Sequence, residues 1–217
     1  MNIQLGIYEI FSTIIPGCIY LMAIGQVFSM LGFKQLTWDI LKDLSGISIF
    51  IVLIAAYVLG LAFNRFGIGW YGLFKGSNKS VDSLNAFKLN QSNRWNINFE
   101  DKDWQILLAL IRSKNLDLAR ETERHLASAI MLRNLSFGFL LLTIINLIQA
   151  ALISSLGFLI ASIVLFTISM LTISESKKFR RWYYDTILST VLAYRIDLEK
   201  LIQPVEPAPK QRKSRIA

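Results

Sequence analysis

Glu100, Asp101 and Asp103 are close enough in sequence to hold a divalent cation between carboxylate oxygens. No second acidic cluster completes such a site, and the same residues suit a helix N-terminus, where negative side chains offset the macrodipole. The single histidine, His125, stands among Arg120, Arg124 and Arg133, with no second histidine to share a metal. It reads as a helix-surface residue rather than a base. The single cysteine, Cys18, lies inside an apolar stretch, which excludes a disulfide framework and a thiolate cluster. No catalytic residue, metal site or cofactor is expected from this set.

A binding function has more to draw on, because the formal net charge is +8. Arg65, Arg133, Lys177, Lys178, Arg180 and Arg181 flank apolar stretches. Basic residues in such places are ordinary membrane-surface anchors, worth roughly 1 kcal/mol each against anionic lipid. Lys75, Lys79, Lys88, Arg94, Arg112, Lys114, Arg120 and Arg124 stand farther out and need another account. Arg94-Trp95, set among asparagines, combines a cation, a stacking surface and amide hydrogen bonds, which suits a nucleotide or a short single-stranded oligonucleotide. Stable binding of duplex DNA is not expected. A solvated basic surface is the competing account, since seven acidic residues in 64–133 offset eleven basic ones.

The third candidate chemistry is passage of ions. Residues 10–33, 44–64 and 134–174 contain no charged side chain. Coupled transporters usually carry ionisable residues at this depth, so their absence argues against that class. A constriction lined by weakly polar side chains needs no such residues. Thr143, Asn146 and Gln149 in one stretch and Gln26 in another are the candidate lining, with Ser29, Ser48, Ser162, Thr167 and Ser169 as lesser members. Interhelical hydrogen bonding within one four-helix bundle is the competing account of the same residues.

These groups must be positioned by elements that the composition defines. The chain is 53% hydrophobic and 18% charged, against about 25% charged in soluble domains. Uncharged stretches of this length match the ~20 residues a bilayer-spanning helix needs. The 41-residue stretch 134–174 would reach about 60 Å as one helix, so it must fold back, with Ser154, Ser155 and Gly157 as the turn. The fold class is therefore an all-α membrane protein of four transmembrane helices in two hairpins, with a small helical cytosolic domain. Its expected parts are an interfacial helix at 1–15, bent into the membrane at Ile15-Pro16-Gly17, and a first hairpin at 16–63. A basic insert at 64–133 and a second hairpin at 134–174 follow. An amphipathic helix at 175–203 and a disordered basic tail at 204–217 complete the chain. Ala56 and Gly60, and Gly25 with Gly32, allow close helix contacts. Gly67-Ile-Gly69-Trp70-Tyr71-Gly72 reads as an interfacial bend rather than a nucleotide fingerprint, because no strand precedes it.

Within the insert, Trp104, Leu107, Leu108 and Ile111 mark one face of a helix ending near Lys114-Asn115. A second helix from Leu116 is expected to continue unbroken into the third span. Tyr184, Ile187, Val191, Tyr194, Leu198 and Leu201 recur at spacings of three and four, as in a short coiled coil. The segment 34–43 holds two Lys or Arg, 64–133 eleven, and 175–217 ten. The positive-inside rule then puts both termini in the cytoplasm of a cell inner membrane. The first residues carry no Lys or Arg ahead of Lys34, unlike a secretory signal peptide.

Two local resemblances add to this. Asp117-Leu-Ala119-Arg120 is similar to part of the motif of lipid-headgroup transferases, but Glu121, Glu123 and His125 stand where a second pair of aspartates would complete it. Tyr8-Glu-Ile-Phe-Ser-Thr-Ile-Ile-Pro16-Gly17, with the plan of two spans, basic insert, Arg133-Asn134 and hairpin, resembles small multi-pass membrane effectors of bacterial anti-phage defence operons, of which the Hailong type is an example. That resemblance implies an oligomeric effector that a cytosolic nucleotide or oligonucleotide releases, so that the membrane depolarises. The expectation is a homo-oligomer, a tetramer or similar, acting as a channel in membrane lipid. The alternative is a non-catalytic anchor that recruits a cytosolic partner protein.

Overall fold

A computed structural model describes residues 3–33, 46–74 and 104–194, and every described element is helical. These are α1 (Ile3–Met30), α2 (Gly46–Leu73), α3 (Trp104–Lys114), α4 (Leu116–Ile153) and α5 (Leu156–Ala193). Expectations for 34–43, for the acidic cluster at 100–103, for Lys75, Lys79, Lys88, Arg94 and Trp95, and for the tail beyond Tyr194 lie outside the described residues.

Four helices, α1 from Ile10 and α2, α4 and α5, are long and apolar enough to cross a membrane. Their outward faces carry Phe50, Ile51, Ile54, Val58, Leu61, Ile160, Ile163 and Val164, all exposed. Contiguous apolar surface on this scale is not tolerated in water. At 1.5 Å per residue, the 38-residue helices α4 and α5 reach about 57 Å, nearly twice a bilayer's hydrocarbon thickness. Half of that hairpin therefore projects beyond the uncharged segment, carrying the charged residues with it.

The turn falls where expected. α4 ends at Ile153, Ser154 takes a left-handed conformation (φ 52°, ψ 36°), and α5 starts at Leu156. The other end of α4 is set by Asn115, whose side-chain oxygen accepts from the Asp117 and Leu118 backbone N–H groups at 3.1 Å each. This satisfies two of the donors a helix start leaves free.

Three expected breaks are absent. α1 runs through Pro16 without interruption, so there is no separate interfacial helix at 1–15. A proline inside a helix loses one backbone bond, and here the cost is offset by packing, because Pro16 and Gly17 are buried at the closest approach of α1 and α2. A Cβ on Gly17 would overlap the Ala56 carbonyl, and one on Gly60 would overlap the Thr13 carbonyl. The glycine-rich run 67–72 is likewise helical. Gly67 lies under the Asn134 side chain, so the small residue serves close packing rather than a bend. The segment after the fourth span is no separate element: α5 continues from Leu156 to Ala193.

Small polar residues join α4 to α5. The Ser136 hydroxyl donates to the Ser169 carbonyl and the Ser169 hydroxyl to the Ser136 carbonyl, both at 2.7 Å. Ser176 donates to the Ala129 carbonyl, also at 2.7 Å. Beyond the uncharged segment, α3 packs against the hairpin in a head bundle. Its core is Trp104, Leu107, Ile111, Ala119, Tyr183, Ile187, Leu188 and Val191. The expected α3 face is thus largely met, with Leu108 only half-buried. Of the coiled-coil positions, Ile187 and Val191 are buried, Tyr184 is half-buried and Tyr194 is exposed.

Candidate functional site

Where α4 leaves its uncharged segment, Arg133 forms a polar knot with α1 and α2. Its Nη2 donates to Asn64 Oδ1 at 2.6 Å, and Asn134 Nδ2 donates to the same oxygen at 3.1 Å. The buried Tyr20 hydroxyl donates to the Asn134 carbonyl at 2.7 Å. One turn on, Trp70 Nε1 donates to Ser136 Oγ at 3.0 Å. Around these bonds, Tyr20 stacks on Phe63 and Phe66 stacks on Phe137. The basic-aromatic collar of α5 closes the end of α2: Lys177 Nζ donates to the Phe74 carbonyl at 2.6 Å, and Arg180 lies over the Tyr71 ring. The side chains of Tyr20, Asn64, Trp70, Arg133 and Asn134 are thus all hydrogen-bonded across helices.

Above the knot, α1 and α4 flank an open groove of about 520 Å³. Tyr8 and Ser12 line one side. Asp117, Arg120, Glu121, Glu123 and Arg124 line the other, and Leu126, Ala127 and Ile130 form the end nearest Arg133. The volume is that of an ordinary small-molecule site. Three of its five charged residues, Asp117, Arg120 and Glu123, are ion-paired. Arg120 Nη1 donates to Asp117 Oδ1 at 3.1 Å, Arg112 Nη2 donates to Glu123 Oε1, and the Arg124 guanidinium lies 5.6 Å from the centre of the Tyr8 ring. Two atoms lack partners: Arg120 Nε, a donor, and Glu123 Oε2, an acceptor, both buried.

Among the expected basic ligand residues, Arg120 and Arg124 therefore meet in one groove. Arg112 is bound up with Glu123, and Lys114 is exposed at the end of α3. The wall carries three carboxylates against two guanidiniums, so the described part of the basic insert is not a plain anion trap. Asp117, Glu121, Glu123, Tyr8 and Ser12 were no part of the expected set. The spacing 117, 120, 121, 124 does place charges of both signs on one helical face, but only α1 shows that this face is half of a groove. His125 is half-buried with its ring centre 6.0 Å from that of Phe179 and 5.9 Å from that of Trp182. No cluster of three or more metal-ligating side chains occurs among the described residues.

The candidate lining residues divide into two kinds. Thr143 and Asn146 are buried and donate to carbonyls of their own helix, those of Phe139 and Leu142, at 2.8 Å. Gln26 and Gln149 each bury a side-chain carbonyl oxygen that has no donor. Comparison of the chain with protein-family models, with curated proteins and with solved structures returned no match.

Proposed function

We propose that this protein is a membrane-permeabilising channel effector of the cell inner membrane, working as a homo-oligomer and gated from the cytosolic side. The observation that carries this reading is the continuity of α4 and α5. Each runs unbroken from the head bundle into the uncharged segment that holds Thr143, Asn146 and Gln149. A helix cannot bend sharply without a proline, a bulge or an inserted group. A ligand or partner that shifts the head therefore moves those side chains too. α1 also links the two regions, with Tyr8 in the groove and Gln26 in the uncharged segment, but Pro16 between them makes it a less stiff connection than α4 or α5. Gln26 and Gln149 each bury an amide oxygen that has no donor within the single chain, a cost that is relieved when an open channel lets water reach it.

The test is ion flux from liposomes that hold the full chain, with and without nucleotide on the head side. Asn146→Leu and Gln149→Leu are expected to suppress the flux. Flux that persists in both variants overturns the assignment of the lining. A second reading, a non-catalytic anchor for a cytosolic partner, is supported by Ile106, Leu116 and Trp182, which leave apolar surface exposed on the head. It predicts a stable complex with that partner and no conductance.

A further inference from the structure

We infer that the groove between α1 and α4 is a binding site for a zwitterion that joins a phosphate ester to a primary ammonium, as in phosphoethanolamine. The inference rests on the chain lying in a membrane with its head in the cytosol, and not on whether it conducts ions.

A polyanion would meet Asp117, Glu121 and Glu123 along with the two guanidiniums, and a simple cation would meet Arg120 and Arg124. A ligand that carries both signs on separate groups matches the wall without leaving either set opposed. The unpartnered atoms are of the same two kinds, since Arg120 Nε is a donor and Glu123 Oε2 an acceptor. The phosphate oxygens answer the guanidinium, and the ammonium N–H groups answer the carboxylate. Charge-assisted bonds of this type are the strong ones.

Polarity also runs along the groove in one direction. Leu126, Ala127 and Ile130 form the end toward the uncharged segment, and Ile130 lies about one helical turn from Arg133. Asp117, Arg120 and Glu121 form the far end. The Tyr8 ring over the Arg124 guanidinium keeps that cation in place without neutralising it. A headgroup still attached to its glycerol would lay apolar atoms on the near end and its charges on the far end. A free phosphoethanolamine would use the far end alone.

The test measures binding to the full chain in detergent by native mass spectrometry. The probes are phosphatidylethanolamine, phosphatidylcholine and soluble phosphoethanolamine. Choline lacks N–H donors, so phosphatidylcholine is expected to bind about tenfold more weakly, the loss of one charge-assisted bond. Arg120→Gln and Glu123→Gln are each expected to lower phosphatidylethanolamine occupancy to the phosphatidylcholine level. Displacement of the lipid by soluble phosphoethanolamine assigns the free zwitterion. Failure to displace it assigns the lipid-borne one. Equal binding of the two lipids by the unaltered chain overturns the inference whatever the variants do. So does full occupancy retained in both variants. Liposome flux is a separate readout, so loss of the channel reading leaves this result standing, and the reverse.

Discussion

Ser136 and Ser169 exchange hydrogen bonds, each hydroxyl donating to the other's backbone carbonyl at 2.7 Å across the α4–α5 contact. Both residues are fully buried. The exchange needs two small side chains at one level of two antiparallel helices, and it brings the backbones close enough for dispersion to add to the bonds. Ser136 Oγ also accepts from Trp70 Nε1, so the same oxygen ties in α2.

That asymmetry separates the two serines. Ser136→Ala leaves the half-buried Trp70 indole N–H without this acceptor, whereas Ser169→Ala removes only the exchange. Unfolding in mixed micelles should show a larger loss for Ser136→Ala, with a coupling between the two sites of about 0.6 kcal/mol and no more than about 1.7, the range for hydrogen bonds between membrane helices. Trp70 fluorescence should change in Ser136→Ala alone. Equal losses would refute the role given to the indole.

The glycines of α2 are not equivalent. Gly60→Leu would drive a side chain into the Thr13 carbonyl, while Gly69→Ala enters open space. The first should cost several kcal/mol or abolish the folded monomer, as overpacking against backbone does. The second should be neutral or stabilising by up to about 1 kcal/mol, because alanine is the better helix former. Thermal melting in detergent distinguishes them, and a destabilised Gly69→Ala would show that this face is covered.

Arg133 serves a shared acceptor, Asn64 Oδ1, together with Asn134. Lysine keeps the charge but not the planar fork. Arg133→Lys should lower stability by about 1.5–3 kcal/mol, the range for a bond involving a charged group, and Asn64→Leu in the same background should add little further. Strict additivity of the two changes would dissolve the knot.

Asn115 has two jobs that can be separated. Its oxygen caps α4, and its Nδ2 donates to the Tyr194 hydroxyl at 3.1 Å, joining the start of α4 to the end of α5. Asn115→Asp keeps the cap and loses that donor. Asn115→Ala loses both and should cost about 1 kcal/mol more, the usual worth of a cap. Hydrogen exchange of the Asp117 and Leu118 amides should rise in Asn115→Ala only.

Gln149 distinguishes a pore from mere packing. If its orphaned carbonyl is structural glue, Gln149→Leu destabilises the chain. The proposed lining predicts the opposite, with stability unchanged or raised by up to about 1–3 kcal/mol as a buried unsatisfied group is removed, together with loss of flux. Melting and flux measured on one preparation decide it.

Much of the fold was legible in the one-dimensional pattern. Charge-free runs define four long apolar helices, because each uncharged residue adds 1.5 Å of length that water will not solvate. The same pattern places the turn at Ser154, the junction at Lys114-Asn115, and the unbroken passage from Leu116 to Ile153, since capping and turn residues act on their own neighbours. Pro16 and Gly67 were misread for the converse reason. Local rules count a proline or a glycine as a break, and they cannot see the Ala56 carbonyl against Gly17, next to Pro16, or the Asn134 side chain against Gly67. The groove is the same case. Asp117, Arg120, Glu121 and Arg124 announce a mixed charged face, but Tyr8 stands more than a hundred positions away. Only the packing of α1 on α4 turns that face into one wall of a groove that carries both signs, because burial and pairing depend on which surfaces meet and not on order along the chain.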